Sequence, residues 1–359
     1  LAILEKATPM HPLVIDGSFG EGGGQLTRLA TALAAILGRP IHLNNIRARR
    51  TKPGLRAQHL AAVRAVAALC GGTLQGDALG SSELRFFPGP LRGGFHQFDV
   101  GTAGSIALVL QAILPVALRT GRACRFTLTG GTDVPMAPPL DYLRQIFLPW
   151  LARMGAEVTV TPVRRGYYPG GGGVVEMHLR PCLGLRPLQL SHAGPVEAMW
   201  GMAHVTGLPA HIAERMSRAA SEVLASRGPV QVDCQVSDKG ESTGPGGAIV
   251  LVARTAQGLV GAATVAQKGV PAEQLGRQVG QSLVHDLECG ATMDVHAADQ
   301  LLVYAALATG PSHFTVRQVS QHAQTAMWII EQFLPVRFTV EPWQGLQRIE
   351  VIVAKGAEM

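Results

Sequence analysis

Three short segments carry the residues whose types and spacing suit phosphate chemistry. In the first, residues 19–28 read FGEGGGQLTR, so Glu21 lies among four glycines directly ahead of an apolar helical pattern, LTRLATALAAIL. Glycines before a helix let the backbone approach a partner closely, often a phosphate at the helix N-terminus. A carboxylate there either complements the helix dipole or holds a cation against the anion. The loop is neither of the two common nucleotide motifs. No GKS or GKT follows it, and no Asp or Glu lies ~20 positions further on. The second segment, IRARRTKPGLR at 46–56, crowds Arg47, Arg49, Arg50, Lys52 and Arg56 into one loop closed by Pro53 and Gly54. Guanidinium forks match phosphate oxygens; a solvated basic loop is the plain alternative. The third, SQHAQT, puts His322 two residues after Ser320, a capping residue for the helix pattern that follows. A histidine in a first helical turn sits at the positive dipole end, which favours the neutral, nucleophilic imidazole. A surface histidine is the plain reading here too. Two helix entries add single polar residues. Gln111 in GSIALVLQ is expected to be buried among apolar neighbours and to need a partner, and Asp299 in ADQLL falls in a first turn, where capping alone accounts for it.

The elements that must position these residues recur along the chain. A glycine turn, an apolar helix, a Gly or Pro break and a strand follow one another in GEGGGQLTRLATALAAILGRPIHLNNI and in VGTAGSIALVLQAILPVALRTGRACRFTLTGG. ADQLLVYAALATGPSHFTV repeats the order, and a second helix pattern with an alternating, strand-like run follows each copy. Repeated α/β units explain this better than one doubly wound sheet. The stretch 183–281 differs: a helix, three strands and a helix, with a glycine-rich loop, KGESTGPGGA, expected to be exposed and mobile. It reads as an inserted α+β module. The division is therefore 10–182, 183–281 and 282–359.

The bulk properties bound the answer. With 359 residues, 47% hydrophobic and 16% charged, the chain is globular rather than disordered. Its formal charge of +6 permits a nucleic-acid partner without requiring one. Five cysteines lie far apart with no CxxC pair, which argues against a disulfide framework or a zinc site and for a reducing, cytoplasmic setting. The first residues show charges and no long apolar run, so no secretory signal is expected. The longest apolar stretch, IALVLQAILPVAL, is interrupted by Gln111 and Pro115 and is shorter than the ~20 residues a membrane span needs.

Taken together, the motifs resemble one family. DGSFGEGGGQLTR, IRARRTKPGLRAQHL, GSIALVLQAILP, GGTDVPMAPP, RGYYPGGGG, ADQLL and SQHAQT occur in this order from Val14 onward and are similar to those of RNA 3′-terminal phosphate cyclases. RGYYPGGGG fits the Arg-Gly-x-x-Pro-x-Gly-Gly-Gly pattern of that family. The resemblance implies an α+β fold. Its large domain would hold three repeated βαβαββ-type units, each like the C-terminal domain of a translation initiation factor, with a smaller thioredoxin-like α+β domain inserted before the third. It also implies an ATP-dependent enzyme. A histidine takes AMP from ATP, AMP passes to an RNA 3′-phosphate, and the neighbouring 2′-OH expels AMP to close a 2′,3′-cyclic phosphate.

Residue by residue, His322 matches the family nucleophile. Gln111, Pro138 and the run His296, Ala297, Ala298, Asp299 and Gln300 match adenosine-binding positions. Glu21 matches a carboxylate near metal and phosphates, and Arg28, Arg47, Arg50 and Lys52 match basic residues lining the phosphate and RNA-end region. The implied cofactors are ATP and a divalent cation, Mg2+ or Mn2+. The implied partner is RNA with a 3′-phosphate end, with no membrane and with a homodimer as the working assembly. The chain departs from the family pattern at His296, where Tyr is common, at Ala326, where Asn is common, and at Arg56, displaced from the basic position expected just before Gln58. Two readings compete. One is a non-catalytic cyclase-like ribosome-assembly factor, against which His322 and the intact GEGGG count. The other is an enolpyruvyl-type transferase, which uses similar repeated units but not these motifs.

Overall fold

The computed structural model describes residues 11–101 and 103–353. Strand β1 (Leu13–Asp16), helix α1 (Gly24–Leu37), β2 (Ile41–Asn44), α2 (Ala57–Cys70), β3 (Thr73–Gln75) and β4 (Leu84–Phe87) build a sheet of order β1-β2-β4-β3. Next come β5 (Gly94–Asp99), α3 (Ile106–Arg119) and β6 (Cys124–Gly130). Helix α4 (Leu140–Tyr142) then runs through a π turn, Leu143–Phe147, into α5 (Leu148–Arg153), followed by β7 (Val158–Arg164) and β8 (Gly173–Leu179). Their sheet has the order β5-β6-β8-β7. In both sheets the first two strands pair in parallel and the other two add antiparallel.

A third sheet, β10-β9-β11-β12, combines β9 (Val196–Thr206), β10 (Gln231–Ser237), β11 (Gly246–Thr255) and β12 (Leu259–Val265) with α6 (Ala210–Leu224) and α7 (Ala272–Cys289). The chain closes with α8 (Val295–Ala306), β13 (Ser312–Val316), α9 (Gln321–Phe333), β14 (Val336–Trp343) and β15 (Leu346–Val353), whose sheet runs β13-β15-β14. The fold is thus mixed α+β, with several small sheets and helices.

Local signals account for the element ends. Helices α1 and α2 stop at Gly38 and Gly71, both in the left-handed region, whose N–H groups bond back to the last helical turn. In α6 the buried Ala213, Met216, Ala220 and Leu224 recur at spacings of three and four, one helical stripe. That stripe and α7 pack on β9 and β11 to form a core of their own around Met216, Ile249, Leu251 and Val279. A larger core, with Leu33, Phe86, Phe126, Trp150, Phe314 and Ile349, ties the other three sheets to their helices.

The two cores are bridged by hydrogen bonds. Trp150 Nε1 donates to the Leu259 carbonyl at 3.2 Å, Trp200 Nε1 to Gln145 Oε1 at 2.9 Å, and the Tyr167 and Thr206 hydroxyls meet at 2.9 Å. The loop KGESTGPGGA is exposed at Glu241, Thr243 and Pro245, as its composition suggests, and it is also tied at two points. Arg165 N donates to the Glu241 carbonyl at 3.3 Å, and the Thr243 hydroxyl donates to the Gly171 carbonyl. The glycines of RGYYPGGGG thus receive the loop: a Cβ at Gly172 would press on Thr243. All five cysteines are free thiols, as their spacing leads one to expect. Among the described residues no helix is long and apolar enough to cross a membrane.

Candidate active site

Six parts of the chain converge on one cavity of about 370 Å³. They are α1 (Gln25, Arg28), α3 (Leu108, Gln111), the turn 135–139, β12 (Ala263, Thr264, Val265), α8 (His296, Asp299, Gln300) and the first turn of α9 (His322); Asp299 lies in the second turn of α8, not in the first as the sequence suggested, because Asp294 is the cap. Its size falls in the range of small-ligand pockets.

Helix α9 places His322. Ser320 caps it, accepting from Ala323 N at 2.9 Å, and the same hydroxyl donates to Asp299 Oδ1 at 2.6 Å. One residue therefore ties the start of α9 to the second turn of α8. Burial pushes the Asp299 carboxyl up to about 6, with the Ser320 hydrogen bond acting the other way. His322 Nδ1 contacts Glu21 Oε2. With the ring proton held on that side, Nε2 keeps its lone pair. Burial, then the charges of Arg28, His296 and Arg50, lower the His322 pKa below its ordinary value. The imidazole is accordingly neutral at physiological pH, the state in which it is nucleophilic.

The glycine loop owes its composition to close packing. Gly20 has φ 58°, and a Cβ there would overlap the Thr325 hydroxyl, while one at Gly24 would overlap the His59 ring. Glu21 N points at Thr325 Oγ1 (3.4 Å), and the Phe19 ring stacks on Trp328 with centroids 3.8 Å apart. The loop is thereby fastened to α9, which brings Glu21 to His322. The other oxygen of Glu21 accepts from Arg50.

Arg28 is the electrostatic centre of the cavity. It is 8% exposed and has no hydrogen-bond or ion-pair partner among the described residues. Burial alone pulls its pKa down to about 10, so the guanidinium is charged and desolvated. Behind it His59, also buried, accepts from Arg56 N at 3.1 Å. Burial first, then Arg28, Arg47 and Arg56, hold His59 at about 3, so it adds no further charge at neutral pH.

The expected residues fall into four groups. His322, Arg28, Gln111, Pro138, His296, Asp299 and Gln300 all line the cavity. Gln111 is half-buried on the cavity side of α3, not buried among apolar neighbours as its sequence context suggested. Glu21 and Arg50 lie beside His322 as a linked pair. Ala297 and Ala298 face the core instead of the cavity. In the basic loop Arg47 has a left-handed backbone and donates to the Lys52 carbonyl at 3.4 Å, and Lys52 itself is exposed. Sequence reading missed Tyr142, Gln25, Gln267 and the whole β12 wall. The motif GGTDVPMAPP was the available signal for the turn, but it drew attention only to Pro138.

A second cluster also went unread. Arg165 bridges Asp133 Oδ2 (3.1 Å) and Asp141 Oδ2 (2.7 Å), and His204 lies 3.4 Å from Asp141 and 3.7 Å from Asp133. Asp133, Asp141 and His204 are spaced as metal ligands could be. Arg165 already engages the oxygens such an ion would take, and Arg144 and Thr132 engage more of them. Arg165 therefore ties the turn after β6 to α4, and the His204 ring of β9 lies against the same carboxylates without a hydrogen bond of its own among the described residues.

A family model described as RNA 3′-terminal phosphate cyclase matches residues 19–340. The chain belongs to this family. A protein of Nitrosospira multiformis named RNA 3′-terminal phosphate cyclase is 50% identical over 335 residues, covering 93% of this chain and 95% of its own. Proteins of the same name from Pyrobaculum neutrophilum and Methanopyrus kandleri are 42% and 40% identical, over 91% and 94% of this chain. The cyclase-family match takes in every segment that lines the cavity, from Gln25 on α1 to His322 on α9.

Proposed function

We propose that the chain converts an RNA 3′-terminal phosphate to a 2′,3′-cyclic phosphate at the expense of ATP. One observation carries this reading: a histidine that holds Glu21 through Nδ1 shares a cavity with a buried guanidinium that has no partner among the described residues. His322 Nε2 attacks the α-phosphorus of ATP, the bond to the bridging oxygen breaks, and pyrophosphate leaves. A 3′-phosphate oxygen of RNA then attacks the same phosphorus, and the phosphorus–nitrogen bond breaks, returning the imidazole. The neighbouring 2′-OH loses its proton, attacks the 3′-phosphorus and expels AMP. Each stage replaces a poor leaving group by a better one.

Arg28 neutralises charge that grows on the transferring phosphate, in a site dry enough for that to matter. Gln111, Pro138, His296, Asp299 and Gln300 contact the adenosine. Arg47, Arg50 and Lys52 meet the RNA end. Glu21 fits a role toward Mg2+ or Mn2+, because each of its oxygens keeps a lone pair beyond its bonds to Arg50 and His322, and phosphate oxygens commonly complete such sites. When bound, that cation screens the phosphate charge. Three repeated units with a thioredoxin-like insertion, divided at 10–182, 183–281 and 282–359, belong to the same reading.

The test is incubation with ATP labelled at the α-phosphate, followed by denaturing electrophoresis. Acid-labile label on the wild type and none on His322→Ala is expected. Equal label on both proteins would sink the assignment of the nucleophile. RNA with a 3′-phosphate, and not a 3′-hydroxyl, should discharge the label.

A further inference from the structure

Asp294 lies outside the cavity, yet three of the cavity's walls meet on its carboxylate. The residue is 2% exposed and caps α8. Its Oδ1 accepts from His296 N (3.1 Å), Ala297 N (3.0 Å) and the Tyr142 hydroxyl (2.6 Å). Its Oδ2 accepts from Gly261 N on β12 at 3.0 Å. An ionised carboxylate offers about four lone-pair sites, and four donors point at this one. Capping accounts for only the two helix amides. The other two donors belong to segments far away in sequence, and both of those segments reach the cavity: Tyr142 lines it directly, and β12 supplies Ala263, Thr264 and Val265. The helix that Asp294 caps supplies His296, Asp299 and Gln300. Beside this junction β12 sits hard on the π turn, where a Cβ at Gly261 would strike Ile146.

We propose that Asp294 is a positioning residue that fixes α8, Tyr142 and β12 at one mutual distance and so sets the width of the nucleotide cavity. This inference rests on the reading of that cavity as the ATP site. Two variants separate it from simple helix capping. Asp294→Ser keeps an N-cap oxygen but is too short to hold Tyr142 and Gly261 as well. Asp294→Asn keeps the shape and turns an amide NH2 towards groups that are themselves donors.

The measurements are amide hydrogen exchange of the ATP-free protein and the KM for ATP against kcat in cyclisation. For Asp294→Ser, exchange at Gly261 should speed up about tenfold or more while that at Ala297 stays slow. KM should rise about tenfold, with kcat within about threefold of wild type. Tyr142→Phe should give a smaller change in the same direction. Unchanged exchange at Gly261 would overturn the proposal and leave Asp294 a cap. Faster exchange with an unchanged KM in an otherwise active enzyme would also overturn it. If Gly261 exchange rises but the wild type itself takes no label from ATP, the positioning role stands and the nucleotide reading is what fails.

Discussion

Arg28 is buried and the Arg165 side chain nearly so, and the two face opposite company. Arg165 lies between Asp133 and Asp141. Burial opposes its charge, but those two carboxylates more than offset it and raise its pKa above the ordinary value. Arg28 faces an open cavity and pairs with no carboxylate among the described residues, and burial lowers its pKa to about 10. A protein that stabilises one buried guanidinium fully and leaves another desolvated and unpaired is maintaining a cost in the free state. An anion can recover that cost on binding. The paired arginine therefore marks architecture, and the unpaired one marks a ligand.

The largest effect should come from cutting the paired cluster. Arg165→Met leaves two buried carboxylates without their partner and should lose about 3–5 kcal/mol in urea unfolding; a loss below about 1 kcal/mol would erase the contrast. Arg28→Met should move stability the other way. The pKa depression from 12.5 to about 10 corresponds to roughly 3 kcal/mol of unfavourable charge burial, so the variant should be as stable as wild type or more so. It should also lose the stabilisation that ATP or pyrophosphate gives the wild type in thermal unfolding. A destabilised Arg28→Met that still responds to pyrophosphate would break the comparison.

Next in size is a pH effect that follows from the cations around His59. Its folded pKa, about 3, lies below its ordinary 6.5. Below pH 6.5 the unfolded chain binds a proton there that the folded protein does not, so this group's contribution is lost as pH falls from 6.5 towards 3. Asp286 and Asp299, both near 6, act in the opposite sense between 6 and 3.8, so the term is isolated only by difference. From pH 6.5 to 5 the stability of wild type relative to His59→Gln should fall by about 2 kcal/mol. A pH-independent difference would mean that His59 is not shielded from protonation. The smallest change is expected from Thr243→Val, which removes one hydrogen bond to the glycine turn and should cost about 1 kcal/mol without altering ATP labelling.

These contrasts also show what a sequence can carry. The Ser320 cap, His322 in the first turn behind it and the helix ends at Gly38 and Gly71 are local, and local rules found them. Arg28 and Gln111 were reached through motifs, since nothing in a helical pattern says which polar residue faces a cavity. The Asp133–Asp141–Arg165–His204 network was invisible because its members come from separate elements and no spacing rule links them. The close approach that the glycines at 20 and 24 allow was legible, but its partners Thr325 and His59 were not, because the chain brings them near only on folding.

The cavity draws on Gln25 near one end of the described chain, on β12 in the third sheet to form, and on His322 close to the other end. A ribosome delivers these pieces in that order. An emerging chain can complete its first two sheets while holding no usable pocket, because both the β12 wall and His322 are still unmade. Such long-range contacts make folding slow. In exchange, a partly synthesised or truncated product holds no complete cavity.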